Sequence, residues 1–378
     1  MTAGRPLAPR FHATPRFALE SGEVLRDVRQ AYVLEGELNA RKDNLVLVFH
    51  SLTGVPETLG GWKGSVIGPG KAIDTTKYAV LCPNLLGSCY GTTFKRFLGK
   101  KEEREAPARG APQHGAGSRG FLRKESAGSA HLTLTTRDQA LFTENLLTAL
   151  GVQRPALVTG GSLGGMVALE FAASFPSRFG AAVVFAAPAT HTAWGIGWNH
   201  VQRRALDAGG PEAGLAVARM AGMLTYRTPE ELESRFARRR GEGEPFAVQS
   251  WLSRHGTKLV ARFDATSYRT LLGAMDLHDV GRGRGGVAAA LAPAGARVTG
   301  VGITGDGLYP ENVVREWVRE AGASYAELRS AHGHDGFLLE EGAGALLAEA
   351  LARAGGGFSR SAEAAEEGRA SSSWAAAR

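Results

Sequence analysis

The sequence predicts an α/β protein: a mostly parallel sheet wrapped by helices, with a helical lobe inserted between two later strands. Three observations predict it. Short, continuously apolar runs bounded by Gly, Pro or Asn recur along the chain, as expected of strands covered on both faces. Helical patterns fall between several of them, and that alternation argues for parallel pairing through crossover helices. From about residue 190 to 290 the strand signal stops and the text turns helical and polar. With 378 residues, 43% of them hydrophobic, the chain can bury a sizeable core.

Taken in order, the N-terminal MTAGRPLAPRFHATPRF holds arginine and proline but no apolar block of signal-peptide length. LRDVRQAYVLEG (25–36) alternates in its first half and suits a half-exposed strand near a sheet edge. LVLVFH (45–50) and YAVLCP (78–83) read as central strands. The segment 95–131 is dense in Lys, Arg, Glu, Gly and Pro; it cannot bury enough apolar surface to offset its ordering entropy, and a mobile insertion is expected. TTRDQALFTENLLTALG (135–151) is a helix, ALVTG (156–160) a strand, GMVALEFAASFP (165–176) a helix and AAVVFAA (181–187) a strand.

The lobe spans 190–290, where TPEEL carries a Thr cap and acidic residues in its first turn. ARVTGVGIT (296–304) and SYAELRS (324–330) complete the sheet. The expected organisation is therefore a core of residues 1–189 and 291–353, the lobe, and a disordered small-residue tail over 354–378.

The formal charge of +7 comes from 44 basic against 37 acidic residues. The surplus arginines lack the interleaved aromatics of a nucleic-acid face. They suit a polyanionic small molecule such as a phosphorylated cofactor, and equally a surface whose charge only aids solubility. Cys82 and Cys89 match neither a disulfide framework nor a metal-site spacing. With no run approaching about 18 apolar residues, the expectation is a soluble cytoplasmic protein without metal, membrane or nucleic-acid partner.

One stretch carries chemistry. In Gly160-Gly161-Ser162-Leu163-Gly164 a serine stands between strand and helix with glycine on both sides, as a sharp turn that lifts a nucleophilic hydroxyl above a sheet requires. The Leu163 N–H then sits at a helix N-terminus, placed to hold an oxyanion. A serine hydroxyl needs a histidine to take its proton and an acid to orient that histidine, here in the chain order Ser, acid, His. Asp306, in GDGLYP after a strand, supplies the acid. His332 and His334, in AHGHDGF after the last strand, both qualify as base, and spacing leaves the choice open. The second oxyanion donor is expected from HSLTG (50–54), with the Leu52 N–H preferred over a plain strand-ending turn at Gly54.

These residues resemble the homoserine O-acetyltransferases and their serine or homoserine succinyltransferase relatives, of the α/β-hydrolase superfamily. VFHSLTG, GSVIGPGKAIDTTKYAVLCPNLLGSCYGTT, GGSLGGMVALEFAASFP, WGIGWNHVQRRAL, MLTYRTPEELESRF, RFDATSYRTLLGAMDLHD, GITGDGLYP and SAHGHDGFLLE carry the likeness across most of residues 20–345.

The resemblance implies an α/β-hydrolase fold with a helical lid, and Ser162, Asp306 and His334 as nucleophile, acid and base. It implies that Arg227 and Asp335 bind the acceptor amino acid; on residues alone they read as a solvated helix arginine and a cap for GFLLEEG. It further implies acetyl-CoA and L-homoserine as substrates, an acyl-serine intermediate, a role in methionine biosynthesis, no bound cofactor, and a homodimer joined through the lid. Succinyl-CoA as donor, serine as acceptor, or ester hydrolysis are the alternatives. The sequence departs from the family pattern after Gly91-Thr92-Thr93, where Phe94 leads into the basic segment.

Overall fold

The computed structural model describes residues 7–96, 132–243 and 245–355. Most of the expected 95–131 insertion and of the 354–378 tail lies outside the described residues. The parts that are described are regular: Lys95 and Arg96 finish a strand, and a helix over 342–355 includes the first two tail residues.

Nine strands form one sheet. β1 (Arg10–Ala18) and β2 (Val24–Glu35) are an antiparallel pair at one edge. β3 (Leu45–Phe49) follows; β4 (Ile67–Gly68) and β5 (Ile73–Asp74) make a separate two-residue pair. Next come β6 (Ala79–Pro83), β7 (Thr93–Arg96), β8 (Leu157–Gly161), β9 (Ala181–Phe185), β10 (Val298–Ile303) and β11 (Ser324–Leu328). The order across the sheet is β1-β2-β6-β3-β8-β9-β10-β11, with β7 also on β2, and every pairing from β6 to β11 is parallel.

Every residue of β3, β6, β8 and β10 is buried, so their apolar runs answer to packing on both faces. β1 gave no strand signal because it is an edge: RFHATPRFA is mostly exposed and contains Pro15, which cannot donate to an inner ladder. β7 was hidden for a related reason, lying at the start of the polar segment.

α1 (Thr136–Leu150) and α2 (Leu163–Ser174) pack on each other and on the sheet. Thr135 caps α1 in a reciprocal box with Asp138, and Gly151 ends it in the left-handed conformation. α2 begins two residues before the expected start because the turn is tighter than the sequence pattern resolves.

Between β9 and β10 lie α3 (Ala193–Gly209), α4 (Leu215–Thr225), α5 (Pro229–Phe236), α6 (Ala247–Val260), α7 (Ala265–Asp276) and the short α8 (Val287–Leu291). Thr228 caps α5 by accepting from the Glu231 N–H at 3.0 Å. α9 (Glu311–Ala321) and α10 (Gly336–Leu339) follow β10 and β11. No helix among the described residues is long and apolar enough to cross a membrane.

Candidate active site

The loops after β3, β8, β10 and β11 all open at the carboxyl edge of the parallel strands, the edge where α/β sheets bind ligands. Ser162 stands between β8 and α2 with φ 58° and ψ −127°, a conformation that costs a non-glycine residue about 1–3 kcal/mol. Its neighbours hold it there. The Ser162 N–H donates to the Phe185 carbonyl at 3.0 Å, and its carbonyl accepts from Met166 N–H at 2.9 Å. A Cβ on Gly164 would lie 2.2 Å from the Phe49 carbonyl oxygen, so only glycine lets α2 begin this close to the end of β3.

That approach sets the start of α2 against the chain leaving β3, and each carries an unused donor. Neither the Leu163 N–H, at the first turn of α2, nor the Leu52 N–H donates to another group among the described residues. The Leu52 loop is held from behind by His50. Its Nδ1–H donates to the Ser51 carbonyl at 2.8 Å and its Nε2 accepts from the Leu85 N–H at 3.2 Å. Burial pushes this imidazole down to about 4, so the ring is neutral and its tautomer fixed by those two bonds. From the other side Arg262, between α6 and α7, donates to the Thr53 carbonyl at 2.7 Å and to the Tyr90 hydroxyl at 2.7 Å.

Asp306 and His334 meet. The buried carboxylate accepts from His334 Nδ1 at 2.7 Å through Oδ2, while Oδ1 accepts from the N–H groups of Leu308 at 2.8 Å and Tyr309 at 2.9 Å. Burial opposes a charged imidazole, but the charge and hydrogen bond of Asp306, with the charge of Asp335, outweigh it and raise His334 above its ordinary value.

The loops carrying the pair are tied together: Thr304 Oγ1 donates to the Ser330 carbonyl at 3.1 Å and accepts from the Ser330 N–H at 2.8 Å. The imidazole is walled by Tyr226, Tyr309 and Phe337, with ring centroids 5.7, 5.4 and 5.9 Å away. Phe337 also lies against the nucleophile turn, where a Cβ on Gly161 would be 2.4 Å from its ring.

His332, two residues away, faces a different partner, Glu231 at 3.3 Å, and is half-buried. The structure thus joins His334 to the acid and leaves His332 outside. It does not join Ser162 to His334 by a hydrogen bond among the described residues; such bonds in unliganded hydrolase-like sites often tighten only with substrate present.

Arg227 and Asp335 are paired with each other, Nε to Oδ2 at 3.1 Å. Arg227 Nη1 also reaches both oxygens of Glu231, at 2.9 and 3.2 Å, so this guanidinium is ordered by two acids and only 13% exposed. The Asp335 side chain makes no cap bond to α10. Burial raises its carboxyl, against Arg227, His334 and Arg219. The chain's link to the helical segment is direct here: the Asp335 N–H donates to the Tyr226 carbonyl at 3.1 Å, and Thr228 Oγ1 to the Ala331 carbonyl at 2.8 Å.

The matching family model is described as the alpha/beta hydrolase fold and covers residues 44–275. A homoserine O-acetyltransferase of Thermus thermophilus is 41% identical over 352 residues, 86% of each chain. The chain belongs to the homoserine O-acetyltransferase family. A solved homoserine O-acetyltransferase of Staphylococcus aureus is 26% identical, with TM-score 0.71, covering 90% of this chain and 94% of that one. Esterase E22, at TM-score 0.75 and 19% identity, covers 91% of this chain and all of its own, and shares the fold.

Within this family frame, His50, Arg262 and the aromatic walls were not singled out from sequence. His50 was in view, as the residue after an apolar strand, but a buried neutral histidine that props a loop leaves no periodic signal. Arg262 is distant in sequence from the loop it holds, so only the fold brings the two together.

Proposed function

We propose that this protein transfers an acetyl group from acetyl-CoA to the hydroxyl of L-homoserine through an acyl-Ser162 intermediate, a step of methionine biosynthesis. The observation that carries the reading is the Asp306–His334 pair at 2.7 Å, with Phe337 packed both on His334 and on Gly161, the residue before a serine held in a strained strand-to-helix turn.

In the proposed first half, Ser162 Oγ gives its proton to His334 Nε2 and bonds to the thioester carbon. The oxyanion is held by the Leu52 and Leu163 N–H groups, and the C–S bond breaks as the imidazolium returns the proton to the leaving sulfur. In the second half the acceptor hydroxyl gives its proton to the same nitrogen, its oxygen bonds to the acyl carbon, and Ser162 Oγ leaves with the proton.

The raised His334 suits both halves, since in each the imidazolium holds its proton from the attack until the leaving group takes it. Arg227 and Asp335 are the proposed receivers of the acceptor's carboxylate and ammonium. Guanidinium and carboxylate are the complementary groups for a zwitterion. Transfer in place of hydrolysis requires water to be kept out, the proposed task of the helical segment whose Tyr226 and Thr228 close on the histidine loop.

The proposed assembly is a cytoplasmic homodimer joined through that segment, where Trp194, Val201, Val217 and Leu224 leave large apolar side chains exposed. The test is thiol release from acetyl-CoA and succinyl-CoA, each with homoserine and with serine, in wild type and Ser162→Ala. Turnover with acetyl-CoA and homoserine alone, lost by several orders of magnitude in the variant, is expected. Equal release without any acceptor favours an esterase.

A further inference from the structure

Helix α6 carries cations and no acid. Several arginines of the chain are matched to acids, Arg137 to Glu20 and Glu170, Arg203 to Asp276 and Arg284 to Glu170. The fourteen residues of α6, AVQSWLSRHGTKLV, hold Arg254, His255 and Lys258 and no acid. Trp251, Arg254, His255 and Lys258 stand at i, i+3, i+4 and i+7, one face of the helix. With Arg235 of α5 they line a cavity of about 390 Å³.

Arg254 and Lys258 are exposed and have no ion pair among the described residues; Arg235 has only a long one, 3.8 Å to Glu231. The floor is aromatic: the Trp251 ring lies 4.7 Å from His255 and 5.6 Å from the Arg235 guanidinium. Burial first, then the neighbouring charges of Arg219, Lys258, Arg227 and Arg235, hold His255 down at about 4.

The cavity lies on the helix that leads to the loop of the candidate oxyanion donor. Two residues past the end of α6, Arg262 is bonded to Thr53 beside the candidate oxyanion donor Leu52. At about 1.5 Å per residue, Lys258 and Arg254 lie roughly 6 and 12 Å back along that line. A ligand spanning from Ser162 to this cavity needs a long arm with a multiply charged anionic end.

We propose that the cavity lined by Arg235, Trp251, Arg254, His255 and Lys258 binds the phosphate-bearing nucleotide end of the acyl donor, with Arg254 and Lys258 as its main phosphate contacts. The assignment rests on the acyl-CoA reading above. Clustered guanidinium and ammonium donors suit phosphate oxygens, and Trp251 offers an apolar face beside them. A single carboxylate would not need so many unmatched cations.

The test compares kcat/KM for acetyl-CoA with that for S-acetylpantetheine, which carries the same thioester and arm but no phosphate. In R254E/K258E the preference for acetyl-CoA falls at least about 100-fold, mostly through KM, two lost charge-assisted bonds each being worth about tenfold or more. R254K/K258R keeps the preference within roughly threefold, a like-charge pair still meeting the phosphates. An unchanged preference in R254E/K258E overturns the assignment.

Calorimetric titration with coenzyme A separates this from the acyl-transfer reading. Binding that R254E/K258E abolishes, in a protein that does not turn over acetyl-CoA, supports the cavity while refuting the reading. Wild-type protein that fails to bind coenzyme A, or binding that survives the charge reversal, refutes the cavity.

Discussion

Asp306→Asn isolates the acid without removing its shape. In the native loop Oδ1 accepts from two backbone N–H groups and Oδ2 accepts from His334. An amide has one acceptor, and the two N–H groups of Leu308 and Tyr309 claim it; the NH2 is therefore turned toward His334. Facing a donor, Nδ1 must become the acceptor and the proton moves to Nε2. The nitrogen meant to take the serine proton is then already protonated. Wrong tautomer and lost imidazolium stabilisation together lower kcat by about 10⁴, about 5.5 kcal/mol of barrier.

Folding is expected to suffer far less, by about 1–2 kcal/mol, since both backbone donors keep a partner. The assay is thiol release from acetyl-CoA with homoserine, followed alongside the melting temperature. A folded D306N enzyme within tenfold of wild type would refute the relay reasoning.

Other outcomes follow from the same geometry. Because His334 is raised above 6.5, its neutral form appears at higher pH than for a free imidazole; the acid limb of the kcat/KM profile is expected above that value. His50 and His278 have the opposite shift: burial lowers them to about 4 and about 3, so the unfolded chain binds more protons below 6.5. Stability contributed by their neutral forms is thus present above 6.5 and lost progressively as pH falls through 4 toward 3, seen as a falling melting temperature. Gly164→Ala places a methyl against the Phe49 carbonyl, where backbone cannot yield; loss of several kcal/mol in urea denaturation, or no folded protein, is expected. Cys82 and Cys89 are buried, and burial pushes the Cys82 thiol up, so a thiol-reactive dye should leave both unmodified until the protein is denatured.

The central strands were legible because burial on both faces writes a continuous apolar run, and the α5 start because a capping threonine is local chemistry. Ser162 was legible for a combined reason: glycines are needed where a helix start nearly touches a neighbouring strand, and that need is visible as GGSLGG. β1 was not, since an exposed edge strand has no apolar alternation to show. The choice between His332 and His334 was invisible to spacing; it turns on which ring the β10 loop reaches, and resemblance rather than physics pointed to His334. The Arg227–Asp335 pair spans 108 residues, and on sequence alone Asp335 looked like a helix cap, a bond its side chain does not make.

The most direct measurement is intact mass after brief mixing with acetyl-CoA in the absence of acceptor. The account predicts a gain of one acetyl group, mapped by peptide analysis to Ser162, released when homoserine is added and never formed in Ser162→Ala. Protein that turns over acetyl-CoA and homoserine yet never carries acetyl on Ser162 would contradict it.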